Sequence, residues 1–563
     1  TDDQGWGDLS RHGNPNVSTP NIDSLAEEGV SFRNFYVCSV CAPTRAEFLT
    51  ARYHPRTGVS GVSRGEERLN PDETTIADHL KAAGYRTAAF GKWHNGSQPP
   101  YHPNQRGFDE FYGFTSGHWG HYFSPPLDHN GQVVRGDGYL VDDFTNHAIE
   151  FIEEASRLSG PFFCYLPLNT PHSPMMVPDE FYRKFESLDP NPKHRDPEKE
   201  DVMMTRAALA MVENIDWNVG RLLQTLRDLA IDEETIVVFF CDNGPNSFRW
   251  NGSMKGKKGS IDEGGLRSPL FIRWKGKIPR GREVDRISGA IDLLPTLLSL
   301  AGLSIQTSKP LDGLDLGSLV LGDTPIPWPD RQLFSVKRDQ VSVRSQRFRL
   351  DSRGQLFDIE NDRGQMHDVA SNHPVKVNEL KAQQTAFARM AKQEFARFKD
   401  RPFTVGYTED TTLPARDGVE HGSIKRSSKA PNNSFFTEWT SSDGFIEWKT
   451  EVVQSAEYRA IVHYTCRDVD AGVTISLVDQ RLTSEEGEAV PSVSRVVTDA
   501  FDPPLYDKSK ERVAKSHYFV KDFRPLELGV LRLEKGVTRL RLNATGFVGD
   551  RAIDVHSIRL IRD

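Results

Sequence analysis

The run Thr235-Ile236-Val237-Val238-Phe239-Phe240-Cys241 is apolar on both faces. A strand of that kind fits between two helix layers, inside a sheet covered on each side. The stretch before it, Thr205 to Leu229, has helical apolar spacing, and the run ends on Asp242-Asn243-Gly244-Pro245. The same alternation recurs upstream. Thr19-Pro20 opens a helix that Gly29 stops, and Thr74 to Ala83 is a helix ended by Gly84. Arg86 to Phe90 is a short strand, and Phe162-Phe163-Cys164-Tyr165-Leu166 is another. The expected class is therefore α/β, a large, mainly parallel sheet flanked by helices. Polar residues collect just after three strands: Lys92 and His94, then His172, then Asp242 and Asn243. Ligands of open α/β sheets sit outside the carboxyl ends of the strands, so these groups are expected to share one crevice.

A chain of 563 residues needs more than one unit. We expect an α/β domain over 1–330 and a smaller α+β subdomain over 331–403. The latter holds the strand and turn Gln355 to Asp362 and a helix from Val375 to Phe398. Residues 404–563 begin in an irregular entry rich in Thr, Ser, Pro and Lys. They continue as short alternating runs, Phe445 to Trp448, Tyr458 to Tyr464, Val473 to Val478, Val530 to Leu533 and Thr538 to Leu542, which predict an all-β sandwich. The net charge of −9 comes with no basic run, so nucleic acid is not an expected partner. Five scattered cysteines do not make a disulfide scaffold. No run reaches the ~20 apolar residues that span a bilayer.

Cys41 opens Cys41-Ala42-Pro43-Thr44-Arg45, with Leu49-Thr50-Ala51-Arg52 following. Cys38 and Cys41 also form a Cys-x-x-Cys, which admits a redox pair or half a zinc site. A zinc site needs a second pair, and Cys164, Cys241 and Cys466 are isolated. The Cys-x-Pro-x-Arg pattern, with Leu-Thr-x-Arg behind it, resembles the signature of the formylglycine-dependent type I sulfatases of the alkaline phosphatase superfamily. The resemblance covers the first two domains and leaves the β-sandwich outside.

It implies that Cys41 is oxidised to formylglycine by a formylglycine-generating enzyme, and that the hydrated aldehyde is the nucleophile. It places one calcium ion on Asp2, Asp3, Asp242, Asn243 and the modified Cys41. All-oxygen ligands of this kind suit a hard cation. It gives Arg45 the task of stabilising the hydrate, and His94, in Gly91-Lys92-Trp93-His94, a hydrogen bond to its hydroxyl. Lys92, His172 in Thr170-Pro171-His172, and Lys258 before Glu263-Gly264-Gly265 become sulfate contacts. Lys255 and Lys257 lie close to that last position, and Asp262 stands where the family often has tyrosine. Asp242 is the expected base, and His172 the expected acid toward the leaving alcohol.

For the substrate, Gly117-His118-Trp119-Gly120-His121, Asp128-His129-Asn130-Gly131 and Arg249-Trp250 have the aromatic and polar character that suits anionic sugars. His118, Trp119, His121, Arg249 and Trp250 are therefore candidate substrate contacts. An equal alternative is a packed insertion that uses its aromatics as core. Trp439, Trp448 and Tyr458 fit a sandwich core better than a sugar platform. The expectation is a bacterial polysaccharide sulfatase acting on a sulfated glycan, periplasmic or secreted. The family carries an apolar strand before its acidic pair, so a chain opening on Thr1-Asp2-Asp3 is expected to be clipped. Two other readings stay open: a phosphate or phosphonate monoester hydrolase of the same superfamily, and a non-catalytic calcium-dependent carbohydrate-binding protein.

Overall fold

The computed structural model describes residues 1–322, 328–481, 491–513 and 518–562. The first unit holds two helix-flanked sheets. In one, Arg86–Lys92 runs parallel to Glu110–Phe114 on one side and to Phe162–Tyr165 on the other. The helix Leu140–Ser156, between the last two, packs its apolar face on them. In the other, Val30–Phe32 lies parallel to Arg282–Val284 but antiparallel to Leu270–Arg273, which pairs antiparallel with Val237–Phe240. Val237–Phe240 meets Leu270–Arg273 in antiparallel only after the long stretch 241–269, so the direction of pairing is set by the path of that connection. The architecture is thus mixed α/β, parallel around Arg86–Lys92. Asp128-His129-Asn130-Gly131 is the Asn-Gly turn of the hairpin Pro126–His129/Gln132–Arg135, with both Asn130 and Gly131 at positive φ.

The helix Cys41–Thr50 is buried at all ten positions. Its site-facing end carries Cys41 and Arg45, while its other faces pack into the core formed with Phe35, Leu69 and Leu294. Helices with no solvent face are core elements rather than surface ones.

Leu333–Lys337, Gln340–Arg344, Phe348–Leu350 and Leu356–Asp358 form a four-stranded antiparallel sheet. The helix Pro374–Arg397 lies on it through Leu380, Phe387 and Ala391. From Phe403 the chain builds two six-stranded sheets that share one core. Trp439, Trp448 and Tyr458 are at most 1% exposed in that core, which makes them packing residues. All five cysteines are free thiols.

Candidate active site

Three strand ends and one helix start converge. Thr1 N donates to Phe240 O (3.0 Å) and Thr1 O accepts from Asp242 N (3.2 Å), which lays Asp2 and Asp3 beside the end of Val237–Phe240. Lys92 is the last residue of its strand, and its Nζ donates to Asp2 Oδ2. Cys41 Sγ is 3.4 Å from Asp2 Oδ1, and Lys258 Nζ is 3.5 Å from Cys41 Sγ and 2.5 Å from Asp3 Oδ1. His172 Nε2 is 3.7 Å from Asp3 Oδ2, while its Nδ1 is 2.7 Å from Ser173 O. Asp3 and His94 both hold positive φ, a conformation that Asp and His tolerate better than most residues and that recurs at functional sites.

Arg45 grips Asp242 Oδ2 through Nε (3.2 Å) and a terminal nitrogen (2.8 Å), and donates to Lys92 O (2.7 Å). Asp242 Oδ1 accepts from Asp3 N at 3.3 Å. Each Asp242 oxygen therefore has a donor that fixes the orientation of the carboxylate. Thr44 Oγ1 donates to Asp242 O (2.6 Å) and accepts from Cys38 N (2.8 Å), tying the helix start to the Asp242-Asn243 turn. Gly244 is required there, because a Cβ would lie 2.2 Å from Gly264 O of the Lys258 loop.

The electrostatics follow from burial. Burial alone would raise the Asp2 carboxyl, but Lys92 and His172 outweigh it and hold it below the usual carboxylate range. Asp3 is likewise held low against burial by Lys258 and His172. Burial, reinforced by Asp2, pushes the Cys41 thiol far up, so the unmodified side chain is a protonated and weakly nucleophilic thiol. The His94 and His172 imidazoles are lowered, chiefly by burial and then by the neighbouring lysines.

The donor set of this cluster suits a cation. Asp2, Asp3, Cys41 and His172 bring potential ligand atoms within 4.8 Å of one another. Asn243 donates through Nδ2 to Asp3 Oδ1 (2.8 Å), and its Oδ1 is buried with no hydrogen-bond partner. A buried orphan acceptor beside two carboxylates fits a divalent cation.

The candidate substrate residues divide. Arg249 is 1% exposed and its guanidinium donates to Asp8 (2.7 Å) and to Asp3 O (2.9 Å). The expected sugar contact is therefore corrected: Arg249 positions the Asp2-Asp3 segment, because a buried guanidinium holding a buried carboxylate has no face left for ligand. Trp119 stacks on Phe114 at 5.2 Å against the core, and His121 sits between the carbonyls of Phe123 (2.9 Å) and Asp507 (2.8 Å). Both take the packed-insertion role. Trp250 is half-buried beside Gly7 and Gly13. His118 lies against the catalytic cluster through its ring, stacking on His172 at 5.9 Å.

Sequence reasoning missed Glu263. It is fully buried between Arg267 (3.0 Å), Arg349 (2.7 Å) and Arg344 (3.6 Å), and these residues bind the Lys258 loop to the four-stranded sheet. Its placement in Glu263-Gly264-Gly265 was the only available signal.

Residues 1–303 match the sulfatase family profile. The chain belongs to the sulfatase family. Among its relatives, N-acetylgalactosamine-6-sulfatase of Canis lupus familiaris is 33% identical over 374 residues, covering 60% of this chain and 68% of the relative. The chain spans 63% to 68% of the length of the first mammalian relatives that it matches. The crystal structure of Ps i-CgsB is similar with a TM-score of 0.63 at 31% identity, over 70% of this chain and 92% of that one. Its complex with k-i-k-neocarrahexaose is similar with a TM-score of 0.62 at 30% identity over the same shares. As a sulfatase, the chain is a sulfuric ester hydrolase of alkaline phosphatase-like fold with an added β-domain. No described helix is long and apolar enough to cross a membrane.

Proposed function

We propose that this sulfatase removes sulfate from a sulfated polysaccharide or oligosaccharide, with Cys41 converted to formylglycine and calcium held by Asp2, Asp3, Asp242 and Asn243. The observation that carries the reading is the packing of Arg45, Lys92 and Lys258 around Cys41 and a buried carboxylate set. Three cations in a nearly dry site suit a sulfate ester, whose oxygens carry charge that repels a nucleophile. When present, the calcium and the hydrated aldehyde supply, respectively, charge withdrawal from sulfate and the attacking oxygen.

The chain's own residues do the rest. Lys92 and Lys258 reach the space above Cys41 and bind sulfate oxygens there. Arg45 holds Asp242 and the Lys92 carbonyl in place, which keeps the ligand turn and the helix start in register. His94 Nδ1 is buried without a partner, so a hydroxyl on residue 41 would satisfy it. The Nδ1–H that His172 donates to Ser173 O orients the ring with Nε2 toward the cluster. A proton taken up at Nε2 is the one that this ring hands to the leaving oxygen. The 33% identical N-acetylgalactosamine-6-sulfatase and the oligosaccharide complex support a glycan substrate.

The test is peptide mass spectrometry on the Cys41 segment, from protein co-expressed with a formylglycine-generating enzyme, alongside turnover of sulfate and phosphate esters in calcium. The expected result is the aldehyde mass at residue 41, sulfate release, and loss of release in Cys41→Ala. Full conversion with no release, or faster cleavage of phosphate esters, overturns the reading.

A further inference from the structure

The β-domain does not stand apart from the catalytic cluster. Ser116 Oγ donates to Asn432 O, and Asn432 Nδ2 donates to Val62 O at 3.2 Å. A Cβ at Gly117 would lie 2.3 Å from Asn432 Nδ2 and 2.5 Å from His94 Nε2, so a β-domain residue and a catalytic histidine flank the same glycine. On the other side, Arg512 N donates to Met175 O (2.9 Å), Met176 bridges to Glu511, and Asp507 O accepts from His121 (2.8 Å). The β-domain thus meets the catalytic unit through Asn432 on one side and through residues 507–512, which precede Tyr518, on the other.

Tyr518 itself meets His118 with ring centroids 4.8 Å apart at 63°. His118 in turn stacks on His172, whose Nε2 faces Asp3. A continuous row runs from the carboxylate cluster to the β-domain: Asp3, His172, His118, Tyr518. His118 is 6% exposed and its Nε2 has no hydrogen-bond partner. A buried, unpartnered ring nitrogen of this kind calls for a ligand group, since leaving it bare costs stability.

We propose that Tyr518, delivered by the β-domain, forms with His118 the wall that receives the sugar ring carrying the sulfate. The ligand class is a pyranose sulfate ester. Its hydroxyl neighbouring the ester pairs with His118 Nε2, and its C–H face lies against the Tyr518 ring. Aromatic faces suit such C–H surfaces, and a hydroxyl can either donate to or accept from imidazole. The β-domain is then part of the specificity pocket rather than a separate sugar-binding module. The inference rests on the glycan-sulfatase reading of the site.

The test compares kcat/KM for 4-nitrophenyl sulfate with that for a panel of sulfated galactose, N-acetylgalactosamine and glucosamine monosaccharides and carrageenan oligosaccharides. Formylglycine-converted full-length wild type and Tyr518→Ala are used, with Tyr518→Leu judged by the same ratio if the alanine variant does not fold. The expected result is an about tenfold fall in the sugar-to-aryl ratio of kcat/KM, carried mainly by KM. An unchanged ratio overturns the inference, whether total activity falls or holds. A wild type that cleaves the aryl ester but no sugar sulfate removes the glycan reading and this inference with it.

Discussion

Lys255, Lys257 and Lys258 crowd one loop, and distance separates them. Lys255 pairs with Asp262 (3.2 Å) and Lys257 donates to Asn246 O (3.2 Å), while Lys258 reaches Asp3 and Cys41. Lys258→Ala should lower kcat by about 10²–10³, the usual loss for one donor to developing negative charge. Lys255→Ala should stay within about threefold of wild type, as a partly exposed lysine paired away from the cluster contributes little. Equal losses in steady-state assays of the two variants would sink the assignment. The place before Glu263-Gly264-Gly265 pointed to Lys258, and Lys258 is the lysine that lies against Cys41, because spacing within one loop is preserved in sequence. Arg249 was misread for the opposite reason. Its closeness to the Asp242-Asn243 turn was visible, but nothing local announced that Asp8, far away in the chain, would claim its guanidinium.

At the scale of elements, the helix Cys41–Thr50 and the Lys258 loop each carry a buried carboxylate, with opposite consequences. Glu47 faces away from the site toward Cys38 and His54, and burial pushes its carboxyl up from 4.5 to about 8. The folded state keeps the proton up to that pH, whereas the unfolded chain releases it near 4.5, so stability falls as pH rises between the two. Glu47→Gln removes this dependence, worth on the order of 4 kcal/mol. The melting temperature of the variant should exceed that of wild type at about pH 8 and approach it near about pH 5; a gap that does not change with pH would refute the argument. Glu263 is held down to about 2 because Arg349, Arg267 and Arg344 overcome the effect of its burial. Its contribution is present above the unfolded value of 4.5 and is lost as pH falls through about 2. Glu263→Gln strands buried guanidinium groups and should cost about 3–5 kcal/mol at neutral pH, read by thermal or denaturant melting. Elements of this kind were legible where apolar period and punctuation agreed, as for Thr19-Pro20 and for the run into Asp242. The antiparallel return of Leu270–Arg273 was not, because strand direction depends on how the connecting loop folds and not on the strand's own residues.

At the scale of the whole molecule, the candidate site draws Asp2 and Asp3 from one region of the sequence and Asp242 and Asn243 from another. A cation bound to Asp2, Asp3, Asp242 and Asn243 would cross-link the first of these regions to the second. Calcium at a hundredfold excess over Kd should then stabilise the protein by about 3 kcal/mol relative to chelated protein. Asp3→Asn should weaken that response in thermal melts with calcium or chelator, and the same calcium shift in variant and wild type would place the ion elsewhere. The existence of a β-sandwich was legible in its short alternating runs. Its docking over His118 was not, because the contacts of Asn432, Asp507 and Tyr518 lie on irregular segments that no periodicity marks. The helix Cys41–Thr50 has one more consequence, which concerns time. Cys41 is 2% exposed, and every residue of its helix is enclosed. An enzyme that alters this thiol cannot reach it in the finished fold. The chance to do so closes as synthesis and folding bury the helix, so molecules that fold first keep the thiol for life.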